Sequence, residues 1–215
     1  MFLEYPKIQT VYLRDPATKF KTLLEGQWTF PAFGYLAKNE WLFTEKVDGT
    51  NIRVMYHGGA VTFGGKTDAA QIPAFLVTRL MEMFPSEKLA TAFPDGDVCL
   101  YGEGYGAKIQ NGGGYIPDGC NFILFDMYCG GYWLERQNVE DVAAKLGIDV
   151  VPIIGKGTLF EAIERTRMGY VSAVSKNATA AWMAEGIVMR PTTDLMDRNG
   201  HRIITKIKHK DFAKC

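Results

Sequence analysis

The chain has 215 residues, 47% of them hydrophobic, with 24 Lys plus Arg balanced against 24 Asp plus Glu. That length can bury a core for one large domain or two small ones, and zero net charge excludes a general nucleic-acid coat protein while leaving room for a local basic groove. The four cysteines form no metal-ligand spacing, the start "MFLEYPKIQTVYLRD" lacks the pattern of a signal peptide, and no apolar run reaches spanning length, so a soluble cytoplasmic protein with reduced thiols and no membrane partner is expected.

In chain order, "EWLFTEKV" and "NIRVMY" read as strands on either side of Asp-Gly-Thr-Asn, and "HGG" predicts a tight hairpin into "AVTFGG". From Ala70 to Phe93 the pattern is helical, with Pro73 placed as a first-turn proline and Pro85 splitting the segment. "DVCLYGEGYG" and "NFILFDMY" are compact apolar strands. A helix follows at "NVEDVAAKLG", capped by Asn138 and stopped by Gly147. "VVPII" reads as one short strand, and "TLFEAIERTRMG" as a helix with Thr158 and Glu161 in a capping box. "EGIVMR" and "RIITKIK" are closing strands, which makes the chain α+β and largely antiparallel.

Alternation in the last strand places Arg202, Ile204, Lys206 and Lys208 on one face. Two readings stand. The lysines protect an edge strand from aggregation, or they face an anionic ligand. "KVDGTN" by itself is a strong turn signal. Glu103 lies between glycines at the end of an apolar strand, where a carboxylate can accept from sugar hydroxyls or help hold a metal. Phe125 and Asp126 interrupt another apolar strand, and Glu185 and Arg190 bracket "EGIVMR".

In order and spacing these pieces resemble the motifs of the covalent nucleotidyltransferases, the polynucleotide ligases and mRNA capping enzymes. "EKVDGTN" is similar to the nucleophile motif KxDG, "FILFDMY" to the aromatic-Asp motif, "EGIVMR" to EGxVxR/K and "KIK" to the closing KxK. "GEGYGAKIQ" resembles the GELxGxxIQ segment of RNA ligases, so the nearest family is the ATP-dependent RNA ligases that seal nicks in duplex RNA. The motifs run from Glu45 to Lys208.

The resemblance implies one nucleotidyltransferase domain over 1–215, built from two mainly antiparallel sheets flanked by helices, with the nucleotide in a cleft between them. It implies ATP as substrate and Mg²⁺ or Mn²⁺ as cofactor. Lys46 would be the nucleophile, Glu45 would present its backbone to adenine, Phe125 would stack on adenine, and Glu103 would contact the ribose. Glu185 would bind metal with Asp126 behind it, and Lys206 and Lys208 would bind the α-phosphate and leaving group. Asn51 would hold the 5′-phosphate of the nucleic-acid end. Lys66 stands where the family usually has an arginine that contacts ribose and end; lysine keeps the charge and loses the planar fork. Only "HKDFAKC" follows the last motif, so no further OB-fold or helical domain is expected, and an accessory nucleic-acid-binding partner would supply the missing grip.

The chemistry asks for such a cluster. A free lysine, with a pKa near 10.4, is neutral in only about one molecule in a thousand at pH 7. Cationic neighbours favour the neutral, nucleophilic form, so Lys206, Lys208 and a metal would activate Lys46. The implied partner is nicked or broken RNA in a phage-like repair role. A minimal DNA ligase, a GTP-using capping enzyme and a non-catalytic nucleotide- or RNA-end-binding module are the alternatives.

Overall fold

The computed structural model describes residues 3–94, 96–175 and 180–212. Its strands, in chain order, begin with β1 (Gln9–Thr10), β2 (Tyr12–Arg14) and β3 (Leu23–Trp28), followed by the short helix α1 (Pro31–Tyr35). Strand β4 (Trp41–Lys46) comes next, and then the expected hairpin of β5 (Thr50–His57) and β6 (Ala60–Gly64). Gly58 and Gly59 form the two-residue turn between β5 and β6, with φ 56° and 80°.

The helical region is split as expected, into α2 (Ala74–Met83) and α3 (Ser86–Ala92), with Pro73 and Pro85 each at the position before a helix. Next come β7 (Val98–Gly106), β8 (Cys120–Cys129), β9 (Tyr132–Trp133) and α4 (Arg136–Leu146). Helix α4 starts two residues ahead of the expected Asn138 cap. Arg136 opens it, donating to Glu140 (2.7 Å) one turn on and to the carbonyl of Val151 (2.6 Å), and no side chain caps it.

"VVPII" divides at Pro152 into β10 (Asp149–Val150) and β11 (Ile153–Gly157), which join different sheets. Helix α5 (Leu159–Met168) carries the expected capping box: Thr158 Oγ1 accepts from Glu161 N (3.2 Å) and Glu161 Oε2 from Thr158 N (2.7 Å). The chain closes with β12 (Gly186–Pro191) and β13 (Thr205–Lys208), the latter only the second half of the expected strand.

The sheets are mainly antiparallel, with parallel pairs β1·β13 and β10·β8, as the α+β reading requires. The chain gathers into two compact units. The first contains the described residues of Met1–Pro6, Asp48–Val151 and Ser175–Ala180; the second contains those of Lys7–Val47, Pro152–Val174 and Ala181–Cys215.

In the first unit the sheet runs β10-β8-β7-β5-β6, with β9 on β8. Ile52, Val54, Leu100, Phe122, Leu124 and Met127 line one face, covered by Leu76 and Leu80 of α2, Leu89 of α3 and Val139 of α4. In the second unit the sheet runs β1-β13-β12-β4-β11. Its buried face joins Trp41, Phe43, Ile187, Met189 and Ile207 to Leu159, Ala162 and Ile163 of α5. Cys99, Cys120 and Cys129 are free thiols, and Cys215 lies outside the described residues. Among the described residues no helix is long and apolar enough to cross a membrane.

Candidate active site

Strand pairing in the second unit puts three positions in one row. Lys46 on β4 stands opposite Gly186 on β12, and Gly186 stands opposite Lys208 on β13. Opposed residues share a face, so Lys46 and Lys208 point to the same side with no side chain between them. The face is the one turned away from the core, because Glu45, Ile187 and Ile207 occupy the neighbouring row and are buried. Glu185, immediately before β12, reaches both lysines: its Oε2 accepts from Lys46 Nζ at 2.5 Å and its Oε1 from Lys208 Nζ at 2.5 Å.

Two backbone bonds and one from a side chain fix where Glu185 sits. Its carbonyl accepts from His209 N (2.8 Å), Ala184 N donates to the carbonyl of Tyr170 (3.0 Å), and the Tyr170 hydroxyl donates to the carbonyl of Gly186 (2.6 Å). Burial opposes ionisation of Glu185, yet the charges and hydrogen bonds of Lys46 and Lys208 outweigh it and hold the carboxyl below its usual value of 4.5. The carboxylate's contribution to stability is therefore present above pH 4.5 and is lost as pH falls through the lowered folded value. Glu185→Gln should lower stability by about 2 kcal/mol at neutral pH. Urea unfolding at pH 7 and pH 3 checks this, and the gap between variant and wild type should shrink at the acid end.

Lys206 lies two residues before Lys208, opposite Val188 on β12 and Thr10 on β1, on the same face. Strand β13 thus has a neighbour on each side, and the edge-strand reading of its lysines is corrected by that pairing.

Glu45 faces the other way. It is 1% exposed on the core side of β4. Its carboxylate accepts from the Ser172 hydroxyl and from Ala173 N (2.8 Å), tying β4 to the segment that leads toward Glu185. That segment is itself paired, with Ser172 N donating to the carbonyl of Trp182 (2.7 Å). Burial raises the Glu45 pKa, against the opposing bonds from Ser172, Ala173 and Val174. A raised value means that its contribution is greatest below the ordinary carboxylate pKa and declines as pH rises through the folded value. Glu45→Ala strands the Ala173 amide and the Ser172 hydroxyl and should cost about 3 kcal/mol. Glu45→Gln, which keeps an acceptor, should cost less in the same denaturant titration and remove the pH dependence.

The remaining expected residues belong to the first unit. Asn51 and Glu103 are directly opposed on β5 and β7, on the face away from Ile52 and Val54. The Asn51 side-chain oxygen is buried and has no hydrogen-bond partner among the described residues. The register between β7 and β8 shifts between Tyr101 and Gly102, so Tyr101 opposes Asp126 while Gly102 opposes Leu124, and Phe125 is the extra residue of a bulge. The bulge turns Asp126 to the face of Tyr101 and Glu103.

Phe125 packs against Tyr5 with centroids 5.0 Å apart. Asp126, expected behind Glu185 as a metal ligand, is wholly buried and accepts from the Tyr5 hydroxyl (2.7 Å) and Met127 N (3.1 Å), so its carboxylate anchors the N-terminal segment. Lys66 is exposed, just beyond β6.

A row of two lysines joined through one carboxylate, in a strand order that brings "EKVDG", "EGIVMR" and "KIK" side by side, is a specific arrangement. The RNA ligase family model matches residues 39–208. The chain belongs to the RNA ligase family.

Solved structures agree on the fold of this family member. A point mutant of the Naegleria gruberi RNA ligase with ATP and Mn superposes with a TM-score of 0.69 at 16% identity, covering 96% of this chain and 56% of that one. The same ligase with PPi gives 0.65 at 18%, covering 95% and 57%. Another mutant with AMP and Mn gives 0.63 at 16%, covering 97% and 60%. The chain therefore spans little more than half the length of the structures it matches. A search of curated protein sequences finds no relative.

The partners of Glu45 were missed in the sequence. One signal was available: in "WLFTEK" the alternation that puts Trp41 and Phe43 inward puts Glu45 inward too, and a carboxylate on a core face needs donors. Nothing in the spacing points to Ser172.

Proposed function

We propose that this chain is the nucleotidyltransferase part of an ATP-dependent RNA ligase that joins 5′-phosphate and 3′-hydroxyl ends through a lysyl-AMP intermediate, in the repair of nicked or broken RNA. The observation that supports it most directly is the Glu185 carboxylate shared at 2.5 Å by Lys46 and Lys208. It gives a nucleophile candidate a fixed position, a second cation beside it, and a single acid between them.

The first step breaks the bond between the α-phosphorus of ATP and the β-phosphate oxygen, forms a bond from Lys46 Nζ to the α-phosphorus, and releases pyrophosphate. The AMP then passes to a 5′-phosphate, and a 3′-hydroxyl displaces it to make the phosphodiester. The protein's main contribution is position and charge. Lys46 attacks as the neutral amine, its proton passing to solvent water, while Glu185 holds the nitrogen in place and keeps Lys208 on its other oxygen. Lys206 and Lys208 lie on one face to receive phosphate oxygens.

A divalent cation belongs to this reading: Glu185 would be its protein ligand, with water and phosphate oxygens completing the shell, as Mg²⁺ prefers in nucleotide sites. Among the described residues no group of three or more His, Cys, Asp or Glu could hold a metal without such outside ligands. When bound, the cation supplies positive charge that offsets both the triphosphate and the Glu185 carboxylate.

The family pattern gives the first unit its own share. Glu103 accepts from ribose hydroxyls, Phe125 stacks on adenine, Lys66 contacts the nucleotide's ribose as well as the nucleic-acid end, and Asn51 meets that end's 5′-phosphate. The test is mass spectrometry of the protein before and after ATP with Mg²⁺ or Mn²⁺. One added adenylate, mapped to the peptide that contains Lys46, supports the reading; an unmodified protein that binds ATP ends it.

A further inference from the structure

Arg53 is the one residue of β5 that carries a full charge into the sheet. It shares the face of Asn51 and Met55, and its side chain is 1% exposed. Burying a guanidinium is costly unless its donors are met. Its Nε donates to the carbonyl of Gly65 (2.8 Å) and its Nη2 to Asp68 Oδ1 (2.6 Å). These two acceptors bracket Lys66 and Thr67.

The rest of the turn is fitted to this arrangement. Gly64 stands opposite Arg53 across the β5–β6 ladder, where a Cβ would lie 3.0 Å from Nη2 and 3.2 Å from Nε. A Cβ at Gly65 would lie 2.7 Å from that of Ala70, so the two glycines let the turn fold down on the guanidinium. Ala70 N donates to the carbonyl of Thr67 (3.1 Å), and Asp68 N to Glu4 Oε1 (3.1 Å). The Asp68 side chain is 81% exposed, so packing does not hold it in place.

We propose that Arg53, through Asp68 and the Gly65 carbonyl, is a positioning residue that fixes the backbone on both sides of Lys66 so that its ammonium is delivered to a bound nucleotide. The proposal rests on the reading of Lys66 as a nucleotide contact. It also accounts for a lysine at a place where the family uses arginine: a flexible stem needs a rigid base to place one point charge.

Asp68 is the residue to change: its side chain is exposed, the Gly65 carbonyl still meets Arg53 Nε, and melting reports the cost of leaving Nη2 unpaired. Self-adenylation rates against ATP concentration are measured for wild type, Lys66→Ala, Asp68→Ala, Asp68→Asn and the double alanine variant, with thermal melting alongside. Lys66→Ala should raise KM for ATP about tenfold and Asp68→Ala roughly three- to fivefold, with kcat changed less than about twofold. Asp68→Asn, which keeps an acceptor for Nη2, should fall between Asp68→Ala and wild type. The double variant should be no worse than Lys66→Ala, because the two act as one unit. An Asp68→Ala enzyme with wild-type KM, or effects that multiply in the double variant, overturns the proposal. So does a Lys66→Ala enzyme with wild-type KM, which removes the contact to be positioned. A wild-type protein that forms no adenylate overturns the lysyl-AMP reading itself, a distinct result.

Discussion

Lys46→Ala should abolish the protein-bound adenylate, leaving no added mass after incubation with ATP and a divalent cation. The substitution removes the only atom proposed to bond to phosphorus, and Glu185 keeps its second partner, Lys208, so the fold should remain intact. Lys46→Arg sharpens the test. A guanidinium can keep the ion pair with Glu185, but it stays protonated in proteins and has essentially no neutral form to attack with. If Lys46 were only half of a structural ion pair, the arginine variant would behave like wild type. If it is the nucleophile, arginine and alanine should both be inactive, by about three orders of magnitude or more. Labelling with α-labelled ATP and intact-mass measurement read the difference directly. Labelling that persists in Lys46→Ala would place the nucleophile elsewhere.

The second large effect is expected from a single methyl group. Gly186 is the middle position of the Lys46–Gly186–Lys208 row, and a Cβ there would lie 2.1 Å from the carbonyl oxygen of Ile207 and 2.7 Å from Cα of Lys208. Both are backbone atoms in the partner strand, so no rotamer change relieves the clash. The ladder between β12 and β13 has to open where it holds Lys208. Gly186→Ala should therefore cost about 3 kcal/mol, at the upper end for overpacking, and lower the melting temperature on the order of 10 °C. It should also weaken the bond between Lys208 and Glu185, so adenylation should fall further than the loss of folded protein explains. Calorimetry together with rates per folded molecule separates the two losses. A Gly186→Ala protein with wild-type melting and activity would show that the strands do not approach this closely. The glycine of "EGIVMR" thus has a physical reason: it lets three strands pass with two charged side chains over them.

The two variants test different links. Lys46 tests the chemistry, and Gly186 tests the sheet that presents it. A failure of the first with success of the second would leave an RNA ligase fold without the proposed adenylation.

Local signals decided a good deal in advance. The Gly58–Gly59 turn, the split at Pro85, and the Thr158–Glu161 capping box each depend on neighbours within a few residues, and each stands in the structure as read, while Pro73 falls one residue ahead of the first turn expected for it. The α+β class and the RNA ligase motifs were legible for the same reason, since short runs carry both. What the chain by itself left open was set by partners far away in sequence. The split of "VVPII" into two sheets depends on which strand each half meets: β8 for β10, β4 for β11. The bulge at Phe125 reverses the alternation that a regular strand would have, and only the pairing with β7 reveals it. Strand β13 lost its edge because β1, nearly two hundred residues earlier, pairs beside it.

The same division holds at the site. Residue types in "EKVDG", "EGIVMR" and "KIK" named Lys46, Glu185 and Lys208, but a carboxylate midway between two ammonium groups is a fact of register across three strands. The proposal fails at its root if the nitrogen in the first of these strands, given the triphosphate, never carries a nucleotide.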